Sequence, residues 1–316
     1  MQDSPCFLSL DLGTTTCRCV AFDVQGHALA KASRETTLFC PAMNHAEADP
    51  HEWWSAVREA IRRVLESDSS LASRIAAVGL TGLQHAMVPI DEHGQPMGRV
   101  MLWMDQRCQP QINRLNTREK ETIEKIAGPG ARVVATHSLP KLCWLAENEP
   151  ELVKKARYFL LPKDYIRYRL TGSIATDPSD AGGTMLYDQR GGGWSPSLVQ
   201  LSGISLQQLP PIRPSHEVNG FITSEAAALT GLPEGLPVVV GAGDVRATIL
   251  GMGGESSDQA LVYLGTAAWV RFKDSGIGTR LRATATTGAA LRWLRDLLGG
   301  SYEELVTEAA AVPPGA

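Results

Sequence analysis

Apolar residues along this chain come first as short runs, then at helical spacing, then as short runs again. Phe7 to Leu12 reads as a buried strand, Gly13 to Thr16 as a turn, and Cys17 to Asp23 as a second strand. Gln25-Gly26 turns the chain into a third strand, His27 to Thr36, so a meander opens the protein. Over residues 50–66 the period changes. Trp53, Ala56, Val57, Ala60, Ile61, Val64 and Leu65 fall on one helical stripe, and Asp49-Pro50 supplies an N-cap with proline in the first turn. Ile75 to Thr81 and Met87 to Asp91 are further apolar strands. Strands alternating with a helix predict an α/β layered domain.

Residues 117–126, 141–147, 149–158 and 163–170 read as helices. Residues 171–195, rich in Gly, Asp, Ser and Thr, read as a loop region over a surface or a site. Pro237 to Val240 is a strand entering Gly241-Ala242-Gly243-Asp244, with a helix over 245–252. Ala260 to Phe272 reads as strand–turn–strand around Leu264-Gly265-Thr266, and 288–310 as helical. The start, Ser9-Leu10-Asp11-Leu12-Gly13-Thr14-Thr15, is partly echoed by Val262-Tyr263-Leu264-Gly265-Thr266-Ala267. Two such hairpins far apart in sequence predict two related domains facing each other across a cleft.

Composition narrows the classes. A length of 316 residues, at ~150 per domain, gives two domains. With 43% hydrophobic and 20% charged residues the chain is globular, not disordered or fibrous. A net charge of −4 leaves no basic footprint for nucleic acid and no polybasic membrane patch. No apolar run is long enough to span a bilayer, and Met1-Gln2-Asp3-Ser4-Pro5 lacks the basic region of a signal peptide. The six cysteines form no C-x-x-C pair, so buried free thiols in a cytoplasmic protein are expected.

Three segments carry candidate chemistry. Asp11-x-Gly13-Thr14-Thr15-Thr16 is a strand end followed by a tight turn, whose N–H groups and hydroxyls can face phosphate oxygens while Asp11 holds Mg²⁺. The bland alternative is an ordinary hairpin turn. Gly241-Ala242-Gly243-Asp244 places a carboxylate just after a strand, where α/β proteins put ligands, and its small residues leave room for a substrate. Asp244 could take a proton from an attacking hydroxyl, or merely cap a helix. Gln84-His85, again after a strand, and Trp103 with Asp105 offer hydrogen bonds and an aromatic face to a polyol. The alternatives are a satisfied core histidine and a core tryptophan beside an exposed Asp–Arg pair. Lys141 to Leu145 reads as a helix packing face.

Taken together, Ser9–Thr16, Gly79–His85, Leu102–Arg107, Lys141–Asn148, Asp164–Asp188, Gly241–Asp244 and Leu264–Thr266 resemble, in order, the motifs of the FGGY carbohydrate kinases. Gln84-His85 and Trp103-x-Asp105 look most like the xylulokinase group. The resemblance implies an α/β, actin/hexokinase-like (ribonuclease H-like) two-domain ATPase fold. It implies ATP-dependent phosphorylation of a ketopentose at a terminal hydroxyl, with ATP and Mg²⁺ required, and relatives of this kind are often homodimers. On the matching positions it makes Asp244 the catalytic base and Asp11 the metal- and phosphate-associated aspartate. It makes Gly13, Thr14, Thr15 and Thr16 the first phosphate loop and Gly265 and Thr266 the second. Gln84, His85, Trp103, Asp105 and Asp244 fall on sugar positions.

Val245 stands where xylulokinases often carry a polar sugar ligand, and Arg246 follows it. Relatives also continue beyond the position of Ala316 into a Gly-Gly-rich adenosine-binding segment, and Asp274 to Thr284 looks as if a strand pair were missing. The expected division is an N-terminal kinase domain over 1–243 and an incomplete second domain over 244–316. The alternative function is a truncated, catalytically impaired sugar-binding remnant of such a kinase.

Overall fold

The computed structural model describes residues 4–254, 260–265, 267–274, 278–284 and 286–313. The opening meander forms as its patterning predicts. Strand β1 (Cys6–Leu12) pairs antiparallel with β2 (Thr16–Asp23), and β2 with β3 (Ala28–Glu35). Cys6, Leu8, Leu10 and Leu12 of β1 are buried, as are Cys17, Cys19 and Ala21 of β2. Helix α1 (Pro50–Ser67) adds Trp53, Val57, Ala60, Ile61 and Val64 to the same core. Asp49 caps it, accepting the His51 N–H at 2.8 Å. Five cysteines are buried free thiols, whereas Cys40 is exposed.

The sheet turns parallel next to the meander. The strand Ile75–Gly82 lies parallel to β1, and on its other side it pairs in parallel with Pro237–Val239 and Ala242–Gly243. Val218–Phe221 closes this side, antiparallel to Pro237–Val239. The register puts Asp11, Thr81 and Ala242 in one row, and Leu12, Gly82 and Gly243 in the next. Three strands therefore end together. Gly241 makes the jog between Pro237–Val239 and Ala242–Gly243 at φ +84°, where a Cβ would meet the Leu80 carbonyl oxygen at 2.3 Å. Only glycine accepts both conditions. Gly241→Ala is expected to cost roughly 2 kcal/mol or more of stability, read by urea unfolding.

A second core lies under the helices that follow. It gathers Met87, Ile112, Leu115, Leu139, Leu142, Cys143 and Phe159. Helix Ser138–Asn148 packs there through Leu139, Leu142 and Cys143, the packing role its sequence suggested. Two elements differ from the sequence reading. Gln109–Arg118 is a helix of its own, and Tyr158–Leu160 is a strand paired with Val88–Ile90 rather than the tail of a helix. Tyr-Phe-Leu is too short an apolar run for periodicity to distinguish helix from strand. The larger correction concerns 171–195. Of the two readings, a loop over a surface or over a site, the surface one fails for its middle: it contains the short helix Pro178–Gly182, and Thr176, Asp177, Asp180 and Thr184 are fully buried behind the strand ends, where Ser179 bonds Gly243 and Gln84.

The chain divides into two compact units, Met1–Ala247 and Thr248–Ala316. In the second, Leu261–Leu264, Ala268–Asp274 and Gly278–Ala283 form an antiparallel sheet. Thus the first two make a hairpin like that of β1 and β2, and the stretch read as short of a strand pair carries a strand. Gly265 sits on the hairpin turn, and Thr266 lies outside the described residues. Helices Gly288–Leu298 and Tyr302–Ala310 follow, the latter opened by a Ser301–Glu304 capping box. Among the described residues no helix is long and apolar enough to cross a membrane.

Candidate active site

Two carboxylates stand where the parallel strands end. Asp11 is the penultimate residue of β1, and Asp244 directly follows Ala242–Gly243 as the first residue of the helix Asp244–Gly251. Burial pushes the Asp244 carboxyl up to about 6, the Val245 N–H donating to it at 2.8 Å opposes this, and the charge of Asp11 adds to the rise. Asp11 itself is raised, chiefly by burial, while Arg18 at 3.2 Å pulls the other way. The two groups thus feel each other's charge. An aspartate titrating near 6 is ionised at neutral pH yet more basic than an exposed one, as a general base should be.

The turn after β1 is held tightly. Gly13 N–H donates to the Thr16 carbonyl at 3.0 Å, and a Cβ on Gly13 would lie 2.9 Å from that oxygen. Thr15 offers its carbonyl to Thr36 N–H at 3.0 Å. The Thr14 hydroxyl accepts the indole N–H of Trp103 at 3.1 Å, so Trp103 is brought to the first turn.

Gln84 and His85 lie beyond the middle strand end. The Gln84 amide donates to the Ser179 carbonyl at 3.0 Å and to Asp180 Oδ1 at 3.3 Å. That amide also fills the space beside Gly243, where a Cβ would come within 2.3 Å of Gln84 Nε2. The room left by the small residue is therefore occupied by the protein, contrary to the expectation that it awaits substrate. His85 is a non-glycine residue at φ 73°, with Nδ1 2.8 Å from the Gly183 carbonyl. A carbonyl only accepts, so Nδ1 bears the proton and Nε2 keeps its lone pair. Burial drops the His85 pKa to about 4, which keeps the ring neutral.

Asp105 requires a correction. It was expected to meet polyol hydroxyls, or else to form an exposed ion pair; the ion pair with Arg107 forms, but it is buried rather than exposed. It is fully buried and accepts Ala46 N–H at 2.8 Å and the Arg107 guanidinium at 2.7–3.1 Å. Arg107 also reaches Glu47 at 2.6 Å and lies over the Trp144 ring. With both oxygens engaged, Asp105 ties the Ala46 segment to the Arg107 turn.

A buried charge cluster went unassigned in the sequence. Lys163 Nζ lies 2.7 Å from Asp164, 3.1 Å from Asp177 and 3.2 Å from Asp180, and Arg167 donates to Asp164 at 2.8 Å. All five side chains are inaccessible. The available signal was Lys163, Asp164 and Arg167 beside Tyr165, Ile166 and Leu170 in one helix, since charges that share a core face must be paired. Elsewhere, a groove of about 790 Å³ lined by residues such as Lys154, Arg157 and Gln208 shares no residue with the strand-end site.

Residues 6–251 match the N-terminal domain of the FGGY family of carbohydrate kinases. The chain belongs to this family. Its FGGY relatives include the xylulose kinase of Bacillus subtilis strain 168, 30% identical over 329 residues, covering 98% of this chain and 66% of the relative. The xylulose kinase of Escherichia coli K12 is 31% identical over 267 residues, or 83% of this chain and 53% of that one. The chain thus spans about two thirds or less of the length of these curated relatives. Among solved structures, the xylulose kinase of Rhodospirillum rubrum superposes with a TM-score of 0.86 at 29% identity, over 98% of this chain and 68% of that chain. The α/β, actin/hexokinase-like fold expected from the sequence holds for this FGGY chain.

Proposed function

We propose that this FGGY chain carries the sugar site and first phosphate site of an ATP-dependent kinase acting on a terminal hydroxyl of a ketopentose of the xylulose type. The observation that carries this reading is Asp244, a half-buried carboxylate that titrates near 6 and feels the charge of Asp11, where three parallel strands end. Kinases named for xylulose among its relatives support the sugar class.

In this reading Asp244 accepts the proton of the attacking sugar hydroxyl. The hydroxyl oxygen forms a bond to the γ-phosphorus, and the bond from that phosphorus to the ADP oxygen breaks. His85 Nε2 accepts a hydrogen bond from a second hydroxyl, and Trp103 lends an aromatic face. Thr14, Thr15 and Thr16 face the phosphates with N–H and hydroxyl donors, while Gly13, its N–H taken by the Thr16 carbonyl, shapes the turn. Asp105, fully buried with both oxygens engaged, shapes the wall, whereas Gln84, held through its Nε2, keeps Oε1 to accept from a sugar hydroxyl. The second turn, Gly265 and Thr266, is assigned to the nucleotide on the resemblance alone.

Among the described residues no three His, Cys, Asp or Glu side chains could hold a metal by themselves. A donor set of one carboxylate completed by phosphate oxygens and water suits Mg²⁺, which rarely has an all-protein cage. Asp11 fits that description and would hold it. The cation would neutralise charge on the phosphates.

Two measurements test the proposal. Coupled ADP release with Mg-ATP is expected for xylulose or a close ketopentose within a panel that includes glycerol, and no release above the sugar-free rate for any member would overturn it. The pH profile of kcat should fall on the acid side near pH 6, because protonated Asp244 cannot accept a proton. A flat profile from pH 5 to 8 would remove Asp244 from the role.

A further inference from the structure

Below the strand ends, one short chain of hydrogen bonds runs from the buried cluster to the residue before Asp244. Gly243 N–H donates to the Ser179 hydroxyl at 3.0 Å, and that hydroxyl donates to Asp177 Oδ2 at 2.6 Å. The same Oδ2 accepts Ser179 N–H at 2.9 Å and the Ser215 hydroxyl at 2.8 Å. The other oxygen of Asp177 faces Lys163 Nζ at 3.1 Å. We propose that Ser179 is a positioning residue for Asp244: its hydroxyl, anchored through Asp177 on the Lys163 ammonium, fixes the Gly243 peptide and so the direction of the Asp244 carboxylate. This rests on the kinase reading above.

Three features of the structure favour this role. First, Ser179 does not cap its own helix. The cap of Pro178–Gly182 is Asp177, so the serine hydroxyl is free to act outside the helix. Second, Gly243 has no side chain with which to lock itself. It is glycine because the Gln84 amide occupies the Cβ position, and a glycine peptide rotates readily unless its N–H is held. Third, the parallel pairing at Ala242–Gly243 is only two residues long before the chain enters the helix. A single rotated peptide there would swing Asp244. Gln84, bonded to the Ser179 carbonyl and to Asp180, braces the same helix from the middle strand. Burial opposes ionisation of Asp177, yet Lys163 and the serine donors outweigh it and hold its carboxyl below the ordinary range, so it remains an acceptor.

The test compares wild type, Ser179→Ala and Ser179→Thr in two assays. In steady-state kinetics, Ser179→Ala should lower kcat roughly 10- to 100-fold with the sugar KM within about twofold, the scale of a misplaced reacting group. Ser179→Thr, which restores a hydroxyl, should recover most of that loss. In carbon NMR of aspartate-labelled protein, with the Asp244 signal assigned by Asp244→Asn, Ser179→Ala should shift the Asp244 titration downward, since a freed carboxylate gains water. A kcat within about twofold of wild type, a Ser179→Thr variant no better than Ser179→Ala, or an unmoved Asp244 titration would each overturn the assignment. A wild type that phosphorylates no sugar would overturn the kinase reading instead, and the titration would still decide the role of Ser179.

Discussion

Asp244→Asn is expected to lose phosphoryl transfer by about 10²- to 10⁴-fold, the usual worth of a positioned base, while binding sugar nearly as well as wild type. The same change should make the protein more stable at neutral pH. Burial lifts the Asp244 carboxyl from an ordinary value of 3.8 to about 6, with the Asp11 charge adding to the rise. A carboxyl raised in the folded state favours folding while it stays protonated, below its unfolded pKa. That contribution is lost as pH rises through about 6, where the fold must hold a charge it disfavours. Asparagine carries no such charge. Its gain should therefore be present at pH 8 and absent at pH 4, as read by urea unfolding at both values. Activity lost together with stability gained is what a strained functional group predicts. An Asp244→Asn variant that retains a tenth of wild-type turnover, or that is less stable at pH 8, would contradict the account.

Lys163→Met should have the largest effect on folding. Its ammonium lies within 3.2 Å of three inaccessible carboxylates, those of Asp164, Asp177 and Asp180. Without it they face Arg167 alone, which reaches only Asp164 among them. Removing one partner from a buried ionic group costs about 3–5 kcal/mol, against a total stability of roughly 5–15 kcal/mol. The loss should shrink on acidification. Asp180 takes up a proton early on acidification: burial raises it to about 7, Lys163 opposes the rise, and Asp164 and Asp177 add to it. Urea unfolding at pH 5 and pH 8 checks both statements. A Lys163→Met protein within about 1 kcal/mol of wild type at pH 8 would mean the carboxylates have another counter-charge.

The fold was legible wherever burial leaves a period in the sequence. β1, β2 and α1 have one apolar face each, so Leu8, Leu10, Cys17, Cys19, Trp53 and Ile61 announced their own partners. The parallel strand Ile75–Gly82 was equally plain. What the sequence concealed was polar burial. Residues 171–195 have the composition of a surface loop, yet Thr176, Asp177 and Asp180 are interior because Lys163 and the Ser179 and Ser215 hydroxyls satisfy them. Composition cannot register a partner that arrives from elsewhere in the chain. The protein partners of Asp105 and Gln84 were concealed for the same reason. Both sit in motifs that point to ligand, but Ala46 N–H and Arg107 saturate the first, while Ser179 and Asp180 engage the second. From its place after a strand of small residues, Asp244 could be a reacting carboxylate or a helix cap. The resemblance put it near the Asp11 turn, and the register adds the row of Asp11, Thr81 and Ala242.

The most direct measurement follows phosphorus through the reaction. Wild-type protein and Asp244→Asn, each incubated with Mg-ATP and xylulose, are compared by phosphorus NMR. A sugar phosphomonoester should appear in step with ADP for wild type, with almost none for the variant. Equal ester formation by both proteins, or ADP accompanied only by inorganic phosphate, would contradict it.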